Sequence, residues 1–348
     1  MSLDAALQRL WYGPAWHALP LWPLALLFRG VVALRAAAYR LGILRSHEVG
    51  RPVIVVGNLT VGGTGKTPVA AWLARALSQR GHRVGVVLRG YGGGHHGPPH
   101  IVELSDNPAN VGDEALLHAR RDVHVVVIGA DRVAAARHAV EHGADVVVCD
   151  DGLQHRRLAR DYEIAVVDGA RGLGNGLPLP AGPLREPARR LESVNAVVVT
   201  HRAAAATPPP FEVRTPLLVD AHLSLDSAVN LVSGERRPLQ AFGDAQSLHA
   251  LAAIGHPDAF FRALRDAGLR PVEHALPDHA ALDPQALPFR PDATVLMTEK
   301  DAVKCREFGQ PGWWWVDLEV TVDRTDAETL LASIHERTGL AGAGAVLG

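Results

Sequence analysis

Gly57-Asn58-Leu59-Thr60-Val61-Gly62-Gly63-Thr64-Gly65-Lys66-Thr67 follows the apolar run Val53-Ile54-Val55-Val56 and precedes Val69-Ala70-Ala71-Trp72-Leu73-Ala74. The stretch sits where a buried strand turns into a helix, which is the setting of a phosphate-binding loop. Gly62, Gly63 and Gly65 let successive backbone N–H groups point into one concavity, and a helix starting near Thr67 adds its positive end. Anionic phosphates are the natural occupants. Thr60, Val61, Gly62, Gly63, Thr64, Gly65, Lys66 and Thr67 are therefore the expected nucleotide cradle, with Lys66 reaching the β- and γ-phosphates and the Thr67 hydroxyl on Mg²⁺. Pro68 falls in the first helical turn, where its missing N–H costs little. The general pattern G-x-x-x-x-G-K-[ST] has its first glycine where this chain has Thr60.

Outward from the loop, strand and helix patterns alternate. Apolar runs at 53–56, 84–88, 123–128, 144–149, 164–167 and 196–199 read as buried parallel strands, with helical patterns at 68–80, 112–121 and 131–142 between them. That is a P-loop NTPase-like α/β fold, doubly wound on a mostly parallel sheet, whose ligands sit beyond the carboxyl ends of the strands. Ala203-Ala204-Ala205-Ala206-Thr207-Pro208-Pro209-Pro210 reads as a linker. Beyond it a smaller C-terminal α/β domain is expected, with strands at 248–254, 294–297 and 313–318 and helices at 257–267 and 326–338. The expected organisation is an N-terminal segment 1–45, a core domain 46–202, a linker 203–212 and the C-terminal domain 213–348.

The N-terminal segment has a different character. From Trp11 to Phe28 there is no Asp, Glu, Lys or Arg, but Pro14, Pro20 and Pro23 interrupt the run. After it Gly30, Ala33, Leu34, Ala37, Leu41 and Leu44 recur at helical spacing, with Arg29, Arg35, Arg40 and Arg45 on other faces. This reads as an amphipathic basic helix in a membrane interface, with Trp11, Trp16 and Trp22 at headgroup depth. The chain as a whole, at 348 residues and a net charge of −2, lacks the basic excess of a nucleic-acid binder, and no protein partner is evident. Cys149 and Cys305 make no disulfide framework, so a reducing compartment is the default. Eighteen histidines are many, yet their spacing suggests no structural metal site.

Chemistry is expected in the loops after the core strands. Asp150-Asp151 closes the run Val146-Val147-Val148-Cys149, a Walker-B-like placement that can hold Mg²⁺ directly or through water. Asp113-Glu114 follows Gly112 at a helix start, where one acid can cap the helix, or one can complete the Mg²⁺ shell while the other serves as general base. The residues alone do not choose. Arg89-Gly90-Tyr91-Gly92 follows the second strand, and its arginine and tyrosine are candidates for contact with phosphate or acceptor. Gln154, His155 and Asn175 lie in two further loops of the same edge and join Arg89 and Tyr91 as candidate substrate contacts. The loop 172–187, long and apolar, reads as functional. Glu299-Lys300-Asp301 at a helix start reads as a solvated face, and the absence of an N-K-x-D motif favours ATP over GTP.

Taken in order, Gly57–Pro68, Arg89–Gly92, Gly112–Glu114, Asp150–His155, Leu179–Pro187, Asp278-His279 and Thr298–Lys304 resemble the tetraacyldisaccharide 4′-kinases, the lipid A 4′-kinases of Gram-negative bacteria. That family shares Thr60 in its own version of the loop, and often has a further histidine where Ala280 stands here. The resemblance implies transfer of the ATP γ-phosphate to the 4′-hydroxyl of a tetraacylated glucosamine disaccharide 1-phosphate at the cytoplasmic face of the inner membrane. It also implies an Asp–His dyad of Asp113 and His279, with Lys66 in the catalytic set, and Mg²⁺ ligation by Thr67, Glu114, Asp150 and Asp151. With His279 beyond the linker, closure of the C-terminal domain would assemble the dyad. A nucleotide-driven switch or insertion factor would use the same loop without an acceptor.

Overall fold

The computed structural model describes residues 3–121, 123–202, 217–245, 247–254, 257–277, 282, 287, 289–290, 292–306 and 308–340. The expected linker 203–212 and the pair Asp278-His279 lie outside the described residues. Strands are Val53–Gly57 (β1), Val84–Leu88 (β2), His100–Ile101 (β3), Val125–Ile128 (β4), Val146–Asp150 (β5), Tyr162–Asp168 (β6) and Ala196–His201 (β7). Beyond them come Leu218–Asn230 (β8), Arg236–Pro238 (β9), Leu248–Ala252 (β10), Val272–Ala275 (β11), Thr294–Thr298 (β12) and Trp313–Val322 (β13). Helices are Leu3–Trp11 (α1), Trp22–Arg40 (α2), Lys66–Ser78 (α3), Pro108–Val111 (α4), Asp113–Ala119 (α5), Arg132–Glu141 (α6), Pro257–Asp266 (α7), Glu299–Lys304 (α8) and Arg324–Thr338 (α9).

All these strands belong to one sheet, in the order β11-β10-β12-β13-β8-β7-β6-β1-β5-β2-β4-β3, with β9 beside β8. β1 is central, and each of its residues is buried, as a β-branched run between two parallel neighbours should be. α3 buries Val69, Ala70, Leu73, Ala74 and Leu77 at helical spacing against one face, where α5 and α9 also pack, while α6 covers the other. Leu73 and Leu77 are fully buried, and each contributes about 2 kcal/mol by leaving water. The C-terminal helix α9 returns across the chain: Leu330, Leu331 and Ile334 enter the same core as Tyr162 and Ile164, and Tyr162 Oη lies 2.9 Å from Ser333 Oγ.

β8 is the element that decides how the halves meet. It pairs parallel with β7 up to His201 opposite His222, then antiparallel with β13 along nearly its whole length. β12 runs parallel to β13, and its last residue Thr298 stands opposite Val316, itself opposite Ala228. The sheet therefore consists of two parallel blocks of opposite sense. Their carboxyl edges, where ligands bind in such folds, point at each other along β8, about 20 Å apart between His222 and Ala228.

The N-terminal segment projects from this body. Among the described residues one helical stretch, Ala15–Arg40, is long and apolar enough to cross a membrane by length and composition. Its apolar side chains are exposed rather than buried, Trp16 at 67%, Leu27 at 66% and Leu34 at 73%. The segment is rooted on the loop 172–187: Trp11 Nε1 donates to Pro180 O at 2.9 Å and Asn175 N to Trp11 O at 2.7 Å.

Candidate active site

The phosphate loop leaves β1 and is held on both flanks. Val61 N donates to Pro183 O at 2.8 Å and Arg185 N to Leu59 O at 2.7 Å, so the loop 172–187 zips along it, with Thr60 bridged to Leu184. On the other flank Thr200 Oγ1 donates to Thr64 O at 2.9 Å. Gly65 is left-handed at φ 82° just before α3, and a Cβ there would come within 3.1 Å of Leu223 and 3.3 Å of Thr200. Glycine is favoured by conformation, and any side chain there would also press on those two neighbours.

After β5 the chain folds back over the loop. Asp151 adopts φ 54°, a conformation that costs a non-glycine residue, and its carboxylate lies 3.2 Å from Arg185 Nη1 and 4.0 Å from Lys66 Nζ. Asp150 is buried, with one oxygen 3.1 Å from His118 Nε2. His118 stands one turn beyond Glu114 on α5, so both face the same centre. Gly112, at φ 86°, sets the start of that helix, and a Cβ on it would lie 2.5 Å from Tyr91 O. The Arg89–Gly92 loop thus packs directly beneath the turn that aims Asp113 and Glu114.

The facing edge of the C-terminal block completes the cluster. Lys300 Nζ donates to Glu114 Oε1 at 2.9 Å, and Lys304 Nζ lies 3.7 Å from Asp113 Oδ2 and 3.2 Å from Asp301 Oδ1. Asp301 is fully buried, and its other oxygen accepts from Ala253 N at 3.0 Å and Thr298 Oγ1 at 2.6 Å. Glu299 accepts from Arg121 Nη2 at 3.0 Å. The solvated face expected at 299–301 is instead a buried seam, because the opposed blocks press α8 onto α5. Partial burial alone would raise the Glu114 pKa, but Lys300 and Lys66, with the Lys300 hydrogen bond, bring it down to about 2.

The profile of the tetraacyldisaccharide-1-P 4′-kinase family matches residues 17–336. The chain belongs to that family. Tetraacyldisaccharide 4′-kinases of Alkalilimnicola ehrlichii and Thiobacillus denitrificans are each 46% identical to it, over 92% and 93% of this chain and 94% and 98% of theirs. The crystal structure of LpxK from Aquifex aeolicus in complex with ATP superposes with a TM-score of 0.80 at 27% identity, covering 92% of this chain and 99% of the other. This 4′-kinase is thus a phosphotransferase of lipid A biosynthesis acting on a lipid A precursor.

Whether the kinase's residues suit Mg²⁺ can be judged from the acids themselves. Asp150 Oδ1 is buried without a hydrogen-bond donor among the described residues, a cost that a cation would relieve. The other side chains assigned to the ion, Thr67, Asp151 and Glu114, carry oxygen donors of the hard type Mg²⁺ takes. No group of three or more His, Cys, Asp or Glu placed to hold a metal ion occurs among the described residues, and Mg²⁺ commonly takes only one or two carboxylates. The set fits.

The candidate substrate contacts divide. Arg89 and Tyr91 are exposed at the rim. His155 is half-buried, and its pKa is pushed down to about 4 by burial first, then by Arg132 against the pull of Asp151, and by Arg89 and Arg35. Arg35 belongs to α2, so the N-terminal helix reaches this side of the site. Gln154 is occupied with the loops: Nε2 donates to Asn58 O and Glu186 Oε1, both at 3.1 Å, while Oε1 accepts from Arg185 Nη1 at 3.3 Å. Asn175 sits beneath α1, its Nδ2 donating to Leu10 O at 3.2 Å and Ala181 O at 2.9 Å. Thr200 and His118 were not singled out in the sequence, while Arg185, Lys300 and Lys304 lay inside the quoted stretches Leu179–Pro187 and Thr298–Lys304 without a site role. For His118 the i+4 spacing from Glu114 was an available signal; Lys300 and Lys304 stood in the quoted stretch Thr298–Lys304, but it is the tertiary fold that brings them to Glu114 and Asp113.

Proposed function

We propose that the cluster between the two facing edges transfers the γ-phosphoryl group of ATP to the 4′-hydroxyl of the acceptor disaccharide with Asp113 as general base. The observation that carries the reading is that α5 carries Asp113 and Glu114 to where Lys66 of α3 and Lys300 of α8 act on Glu114, with Lys304 3.7 Å from Asp113. Backbone N–H groups from Gly62 to Thr67 and the positive end of α3 bind the triphosphate. Lys66 offsets the charge of its terminal oxygens. Thr67, Glu114, Asp150 and Asp151 are the residues to hold Mg²⁺, which supplies neutralisation of the charge spread over the β- and γ-phosphates. Asp113 takes the hydroxyl proton as the new O–P bond forms, and Lys304, shared with Asp301, holds that carboxylate in place. His279 is assigned as the partner of Asp113, and closure of the C-terminal block as the step that assembles the pair.

The acceptor is amphiphilic, and the exposed apolar helix Ala15–Arg40 is assigned as the anchor holding the kinase on the cytoplasmic face of the inner membrane. Labelled ATP and the tetraacyldisaccharide 1-phosphate test the reading together. Label is expected on the lipid, with Asp113→Ala lowering kcat by about 10²–10⁴ while ATP affinity holds. Release of free phosphate alone would favour a nucleotide switch, and near wild-type turnover in Asp113→Ala would remove the base.

A further inference from the structure

The C-terminal block meets α5 at both ends. At its start Lys300 reaches Glu114 and Lys304 reaches Asp113. At its far end Arg121, whose N–H donates to His118 O in the closing turn, lies 3.0 Å from Glu299 Oε2 and 3.7 Å from Asp317 Oδ1. Glu114 and Arg121 are seven residues apart, about 10 Å along a helix. Glu299 and Lys300 are neighbours, so one point on α8 reaches towards both ends of α5. A single contact fixes a distance between two elements, whereas contacts at opposite ends of a helix fix an angle as well.

The far contact is half made. Asp317 of β13 is buried, and Arg236 of β9 holds its Oδ2 at 2.7 Å. Its Oδ1 is buried too, yet has no hydrogen-bond donor among the described residues. A cavity of about 240 Å³ lies beside it, lined by Arg121, Arg236, Glu299, Trp315 and Asp317. A buried carboxylate oxygen without a donor is costly, and an approach of about 0.7 Å by Arg121, from 3.7 Å to the 3.0 Å of its Glu299 contact, would satisfy it. Burial pushes the Glu299 pKa up; Arg121 pulls it down, and Asp317 pushes it up again. Arg121 is the guanidinium both acids share, since Arg236 pairs with Asp317 and Glu319, and Arg120 acts on Glu299 electrostatically.

We infer that Arg121 is a positioning residue for phosphoryl transfer: from the far end of α5 it latches Glu299 and Asp317, and so sets the alignment in which Lys300 and Lys304 meet Glu114 and Asp113. Closure of the C-terminal block completes the latch by bringing Asp317 Oδ1 onto the same guanidinium. The inference rests on the reading of Asp113 as base and of block closure as the assembling step. Arg121 touches neither nucleotide loop nor acceptor contact, so its effect belongs to the chemical step and not to ATP binding.

Full-length protein in detergent micelles is assayed with labelled ATP and the tetraacyldisaccharide 1-phosphate. Arg121→Gln is expected to lower kcat by about tenfold or more while ATP KM stays within about twofold. Arg121→Lys, which keeps the charge without the planar fork, is expected to recover part of that loss. Glu299→Gln breaks the same contact from the other block and decides the matter should Arg121→Gln not fold. Its expected fall in kcat is smaller, about threefold or more, because the amide still accepts a hydrogen bond, and ATP KM again holds. A rise in ATP KM equal to the fall in kcat, or no recovery in Arg121→Lys, means general loosening and overturns the positioning role. Wild-type kcat in Arg121→Gln and Glu299→Gln beside a large loss in Asp113→Ala overturns the latch alone, and wild-type kcat in all three overturns the base with it.

Discussion

Lys66 and Lys304 reach the same acidic cluster from opposite edges of one sheet, and they do so by different means. Lys66 is fixed locally: a glycine turn, a strand behind and a helix ahead hold it wherever that sequence occurs. Lys304 arrives through the antiparallel pairing of β8 with β13, which turns the C-terminal block to face the loop. The first placement is a property of eleven consecutive residues and the second of the whole topology. Substitutions should therefore behave differently on the two edges.

The sharpest contrast is kinetic. Lys66→Ala is expected to lower both nucleotide affinity and turnover, the latter by about 10²–10⁴, and unchanged ATP binding would break the loop assignment. Lys304→Gln should cost less, about 10–100-fold in kcat with ATP KM nearly unchanged, and Lys304→Arg should restore part of it. Equal losses in kcat and ATP affinity for Lys304→Gln would mean that the two edges act on the nucleotide alike.

Stability offers smaller effects. Because the folded pKa of His155, about 4, lies below its ordinary 6.5, the unfolded chain binds the extra proton between those values. Stability should fall as pH drops through that window, by about 1–2 kcal/mol after allowance for solvent, and His155→Gln should flatten that part of the urea-midpoint profile. Thr298 caps α8 by accepting Asp301 N at 3.2 Å. Thr298→Ala should cost about 1 kcal/mol, read as a lower thermal midpoint, and should reduce turnover without touching ATP binding. A Thr298→Ala protein of full activity would show that α8 needs no fixed start.

These differences also explain what could be read from the chain. The phosphate loop, the central strands and the acids at 113–114 and 150–151 were legible because glycine spacing and unbroken apolar runs are local signals. β8 was not, since its Asp220, His222, Ser224, Asp226 and Ser227 break any apolar run, and only a period of two betrays a strand with one buried face. Without β8 the opposed sense of the blocks is invisible, and α8 looks like an ordinary charged surface helix. Asn175 shows what a motif leaves out, for its side chain in a glycine-rich loop donates to the backbone of α1 and of its own loop, contacts that no local pattern announces.

Between the last β7 pairing at His222 and the first β9 pairing at Ser227, the described sheet narrows to β8 and β13 alone, and the register shifts there, Asp317 facing Ser227 and Leu318 facing Leu225, with Asp226 of β8 left over. Two-stranded ribbons twist more freely than wide sheets, and a bulge adds to that twist. The waist is a torsion bar. Rotation about it would change the gap between Lys300 and Glu114 and between Lys304 and Asp113, so the twist of four residues of ribbon, from Leu223 to Asp226, bears on the distance across the acidic cluster.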